Sequence, residues 1–139
     1  MNKKIIAFGT FDIFHLGHQD FFKQAKKLGD YLVVVIARDV NVEKIKGGLP
    51  LNDELNRASK IKKFNLVDEV ILGNKKDKYK VLKQQQPDMI CLGYDQKVNT
   101  IELQKKLKEY KLSKVKVIKL KAFKPEIYKS SLLKKQMDN

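Results

Sequence analysis

The chain has 139 residues, 42% of them hydrophobic and 33% charged, with a formal net charge of +14. That length suits a single domain over residues 1–139 with its own core, and the apolar content excludes a disordered chain. One cysteine, Cys91, excludes a disulfide framework, and no apolar stretch reaches membrane-span length, so a soluble, cytoplasmic protein is expected.

Residues 1–4, Met-Asn-Lys-Lys, carry no secretory pattern and lead into a strand over residues 4–8. Residues 19–28 read as a helix with Phe21, Phe22, Ala25 and Leu28 on one face, closed by Gly29-Asp30. Residues 31–37, Tyr-Leu-Val-Val-Val-Ile-Ala, form a continuous apolar run, as in a strand covered on both faces. The segment after it, containing Lys44 and Lys46, reads as a loop. A helix follows at residues 53–64, a strand at 69–72, a helix at 77–86 stopped by Pro87, and a strand at 89–92 ending at Gly93. Residues 100–110 read as a helix, 115–120 as the last strand, and a terminal helix opens at Ser130. Strands alternating with helices imply a doubly wound, mostly parallel α/β sheet. Ligands of such sheets bind beyond the carboxyl ends of the strands, so the post-strand segments carry the candidate sites.

Residues 9–18, Gly-Thr-Phe-Asp-Ile-Phe-His-Leu-Gly-His, join the first strand to the first helix and hold both histidines of the chain. Gly9 permits a tight exit from the strand, and Gly17 permits close approach of backbone to a ligand. His15 and His18 flank a helix N-terminus, where N–H groups and the dipole favour a phosphate, so donors there could stabilise charge growing on an α-phosphate. A zinc cage would need further cysteine or histidine ligands, and Cys91 sits mid-strand, so no protein-held metal site is expected. Arg38 and Arg57 are the only arginines. Base-edge recognition favours arginine's planar fork, so the spread lysines read as a field that gathers small anions rather than as a nucleic-acid surface.

The Gly-Thr-Phe-Asp and His-x-Gly-His pattern resembles the cytidylyltransferase-like branch of the nucleotidyltransferase superfamily. The likeness continues through residues 25–34, Arg57, Val67-Asp68-Glu69-Val70-Ile71, and residues 87–96. It implies a Rossmann-like five-stranded parallel sheet of order 3-2-1-4-5, helices on both faces, a Mg²⁺-bound nucleoside triphosphate, and the homodimer frequent in the family. It further implies that Thr10, Phe11, His15, Gly17 and His18 hold the triphosphate, with the two histidines catalytic. Gly93 and Asp95, at the end of strand four and in its nucleotide loop, would border the nucleoside. Either Lys44 or Lys46 would meet phosphate, Lys46 being taken as the catalytic candidate, and Arg57 would clamp phosphate. Lys129-Ser130-Ser131 resembles the family's terminal Ser-Thr-Thr element, placing Lys129 and Ser130 near phosphate beside the competing role of helix capping.

No nucleophilic serine or cysteine with a base partner is evident, and a phosphorylated acceptor needs neither, so direct transfer without a covalent intermediate is expected. Residues 35–39 with Val42 and Lys46-Gly47, together with residues 92–96, resemble most closely the archaeal-type FAD synthases, which adenylylate FMN. Phe123-Lys124-Pro125-Glu126-Ile127-Tyr128 stands where glycerol-phosphate cytidylyltransferases carry Arg-Thr-x-Gly-Ile. The expected substrates are therefore ATP and FMN. CTP with a polyol or sugar phosphate is second, and a non-catalytic nucleotide- or nucleic-acid-binding module third. Phe14, Tyr94, Phe123 and Tyr128 are candidates for flavin stacking or for packing.

Overall fold

A computed structural model describes residues 3–93 and 100–121. Five parallel strands form one sheet: β1 (Lys4–Gly9), β2 (Tyr31–Ile36), β3 (Glu69–Leu72), β4 (Met89–Leu92) and β5 (Lys116–Lys119), in the order β3-β2-β1-β4-β5. The expected strand order therefore holds. The helices are α1 (Leu16–Lys26), α2 (Asp39–Lys46), α3 (Glu54–Lys62), α4 (Lys80–Gln85) and α5 (Thr100–Glu109).

Strand alternation divides the core into two layers. Ile5 and Ala7 of β1, Leu32, Val34 and Ile36 of β2, and Met89 and Cys91 of β4 pack with Phe21, Phe22 and Ala25 of α1 and Ile61 of α3. Ile6, Val33, Val35, Ile90 and Leu92 face the other way, onto Val81 and Leu82 of α4 and Leu103 and Leu107 of α5. The run 32–36 is buried throughout because both layers cover it. At one edge of the sheet, β5 leaves Lys116 and Lys119 exposed, charges that discourage pairing with a further strand.

Helix α4 is shorter than the expected 77–86, and two further differences bear on the site. The segment 39–46 is a helix rather than a loop: Gly47 ends it at φ 78, its N–H donating to the Glu43 carbonyl at 2.9 Å. Only Val42 of α2 is buried, so two short turns leave no apolar period to read. Helix α1 starts at Leu16, three residues before the expected Gln19, because a histidine caps it.

Candidate active site

His15 is the N-cap of α1, in extended backbone at φ −139 and ψ 178, and its Nδ1 accepts the Gly17 N–H at 3.0 Å. His18, one turn on, accepts the His15 N–H on its own Nδ1 at 3.3 Å. This reciprocal cap is a capping box built from imidazoles in place of serine and glutamate. It also selects a tautomer. Where Nδ1 accepts, the proton of a neutral ring resides on Nε2, so the cap makes Nε2–H the donor side of each imidazole.

The two rings stack at 3.8 Å between centroids, 22° apart. Burial first, and then the neighbouring His15, push His18 down to about 3. His18 is therefore a neutral hydrogen-bond donor at physiological pH.

Phenylalanines hold the pair in place. Phe11 meets His18 edge-on at 5.1 Å and 84°, and Phe14 stacks on its ring at 6.0 Å and 2°. Phe11 has a positive φ of 51, rare for a bulky side chain, and folds back over Gly9. A Cβ at Gly9 would lie 2.4 Å from the Phe11 ring, so glycine there is a steric requirement of the loop.

Beneath the loop runs a polar network that sequence reasoning missed. Both oxygens of buried Asp12 accept backbone N–H groups, from Leu51 at 2.7 Å and Asn52 at 2.8 Å, while Asn52 Nδ2 donates to the Asp12 carbonyl at 2.6 Å. Arg57 is 0% exposed and donates to the Asn52 carbonyl at 3.1 Å, the Thr10 carbonyl at 2.9 Å and Asp39 Oδ1 at 2.6 Å. Asp39 and Glu54 exchange bonds with each other's N–H at 2.9 and 3.2 Å, and Arg38 pairs with Glu54 at 2.9 Å. A phosphate clamp is therefore not the role this placement supports for Arg57. Its guanidinium is sealed inside, tying the histidine loop to α2 and α3. One signal existed, since Asp12 lies within the Gly-Thr-Phe-Asp pattern. Its partners are 39 and 40 residues away, beyond any local spacing rule.

Lys44 and Lys46 are exposed in the last turn of α2, not in a loop. β1 and β4 pair as far as Ala7 and Cys91, so Gly9 and Gly93 each follow the paired segment towards the carboxyl ends of their strands. The structure therefore brings Gly9, Thr10, Phe11, His15, Gly17 and His18 into the short segment from the end of β1 to the first turn of α1, with Gly93 directly after β4. Tyr94, Asp95, Phe123, Tyr128, Lys129 and Ser130 lie outside the described residues.

A family model described as cytidylyltransferase-like matches residues 6–136. An FAD synthase of Thermoplasma volcanium is 45% identical over 106 residues, 76% of this chain and 74% of that protein. An FAD synthase of Thermococcus sibiricus is 43% identical over 107 residues, 76% and 72% of the two chains. Among solved structures, the lipopolysaccharide core biosynthesis protein of Thermoplasma volcanium superposes with a TM-score of 0.81 at 41% identity, covering 88% of this chain and 99% of that one. The pantoate–β-alanine ligase of Francisella tularensis, at 15% identity and a TM-score of 0.59 over 96% and 68%, shares the fold. With the matched region spanning the sheet and the histidine loop alike, the chain belongs to the cytidylyltransferase-like family of nucleotidyltransferases.

Proposed function

We propose that this chain is an FMN adenylyltransferase, transferring AMP from ATP to the phosphate of FMN and releasing pyrophosphate. The observation that carries the chemistry is the reciprocally capped histidine pair, whose two Nε2–H donors stand at the N-terminus of α1. The choice of ATP and FMN is supported by the relatives at 40–45% identity that are named FAD synthases.

An oxygen of the FMN phosphate, already ionised at neutral pH, attacks the α-phosphorus of ATP. A new P–O bond forms there as the α–β phosphoanhydride breaks, and pyrophosphate carries away the bonding pair. Negative charge grows on the α-phosphate oxygens and the leaving bridge oxygen. His15 and His18 meet that charge as fixed donors, supported by the helix dipole. Lys46 contributes positive charge from the end of α2.

Magnesium enters as the counter-ion of the nucleotide. Among the described residues no three His, Cys, Asp or Glu side chains come together, and both Asp12 oxygens already accept N–H groups. No helix among the described residues is long and apolar enough to cross a membrane, consistent with soluble substrates.

The test is pyrophosphate release with Mg²⁺, crossing ATP and CTP against FMN, glycerol 3-phosphate and a heptose phosphate. Turnover is expected with ATP and FMN alone, falling by about 100-fold or more in His15→Ala and His18→Ala. Turnover with CTP and glycerol 3-phosphate would overturn the substrates, and a trapped nucleotidyl-enzyme would overturn direct transfer.

A further inference from the structure

Beside the histidine loop lies a cleft of about 440 Å³, lined by Ile13, Phe14, Leu51, Asn52, Lys60 and Lys63. Its volume falls within the range of small-molecule sites. One wall is apolar. Phe14 has His18 stacked on its ring at 6.0 Å and Phe64 against it at 5.7 Å, and it also borders the cleft, so cleft and histidine pair share one aromatic wall.

Leu51 completes that wall. Its side chain is exposed, yet its backbone is pinned by Asp12 Oδ2 at 2.7 Å, with Asn52 pinned beside it at 2.8 Å. A leucine fixed there presents apolar surface whose covering by a ligand would be favourable. The rest of the lining includes two cations. Lys60 and Lys63 sit one turn apart on α3 and its C-cap, both exposed, and neither takes part in an ion pair among the described residues.

We propose that this cleft is the acceptor subsite: Phe14, Ile13 and Leu51 cover the flavin ring system of FMN, and Lys60 and Lys63 select for its anionic phosphate end. The assignment rests on the FMN adenylyltransferase reading above. It follows from charge and shape together. A polyol phosphate would satisfy the lysines but leave the apolar wall wet, and an uncharged flavin would do the reverse. The shared Phe14–His18 wall sets this cleft directly against the histidine loop.

The test measures KM for FMN and for ATP separately, in the full chain, for Lys60→Gln/Lys63→Gln, Leu51→Ser and Lys62→Gln. Lys62 is an exposed lysine of the same helix that does not line the cleft, so its variant controls for bulk charge. The double variant should raise KM for FMN about tenfold, the loss of about one charge-assisted hydrogen bond, with kcat and KM for ATP within about twofold. Leu51→Ser should raise KM for FMN about fivefold, and Lys62→Gln should change neither constant. A rise in KM for ATP instead would assign the cleft to the nucleotide. Unchanged constants in the double variant would overturn the subsite while leaving FAD synthesis intact. A wild-type protein that turns over ATP with a non-flavin acceptor, and not with FMN, would overturn both.

Discussion

Replacing Arg57 by lysine separates a buried strut from a phosphate clamp, because the two roles predict opposite pairings of stability and rate. Arg57 makes three bonds at 0% exposure, to the Asn52 and Thr10 carbonyls and to Asp39. A lysine keeps the charge but has one compact head, which can reach one of those three groups well. Hydrogen bonds involving a charged partner are each worth about 1.5–3 kcal/mol, and part of that is recovered by relaxation, so a net loss of about 2–4 kcal/mol is expected. For a domain of this size that lowers Tm by roughly 6–14 °C. Thr10 would loosen with the lost bond, and the histidine loop with it, so kcat/KM should fall by about tenfold at 25 °C. Thermal denaturation and steady-state kinetics on one preparation make the measurement. An unchanged Tm with a kcat loss of about 100-fold would refute the strut and restore the clamp.

Three further outcomes follow from the loop. In an NMR titration the His18 ring should change protonation near 3 rather than 6.5, because burial and His15 both oppose its charge. The unfolded chain then binds the extra proton first as pH falls, so this contribution to stability is whole above about 6.5 and is lost progressively towards about 3. A His18 resonance titrating between pH 6 and 7 would contradict the burial argument. Gly9→Ala should displace the Phe11 ring that lies 2.4 Å from the added Cβ, costing about 1–3 kcal/mol and lowering kcat; wild-type turnover would sink the steric account. Lys46→Gln should lower kcat/KM for ATP by about tenfold and Lys44→Gln by less than about twofold, an equal response from both lysines counting against a specific contact.

The sheet was legible because its strands are short apolar runs with abrupt ends, and the burial of residues 32–36 on both faces is what an unbroken Tyr-Leu-Val-Val-Val-Ile run implies. The histidine loop stood out as a candidate because both histidines of the chain and two glycines fall within ten residues directly after a strand. Helix α2 was not, because burying Val42 alone leaves no amphipathic period, and its N-cap Arg38 makes no capping bond with its side chain. The α1 boundary was missed because imidazoles replace the usual hydroxyl or carboxylate caps. Arg57 was read as a phosphate clamp because it is one of only two arginines and matches the family's helix, with a surface ion pair as the alternative. Its burial depends on carbonyl and carboxylate partners, two of them 18 and 47 residues distant, that only the folded chain assembles.

A neutral His18 has a consequence for how substrate is gathered. An imidazole that stays uncharged down to about 3 adds no net charge at pH 7, so it cannot attract a polyanionic triphosphate from a distance. That attraction must come from exposed lysines such as Lys46, Lys60 and Lys63, from the α1 dipole, and from the overall charge of +14. Exposed charges are screened over about 8 Å at physiological ionic strength, whereas a donor in contact with phosphate is barely screened. Binding and chemistry should therefore separate in salt. Raising monovalent salt from about 0.05 to 0.3 M should increase KM for ATP by about three- to tenfold while kcat stays within about twofold. A kcat that falls in step with rising salt would mean that an exposed, screened cation stabilises the transition state, and that the histidine donors do not carry that charge.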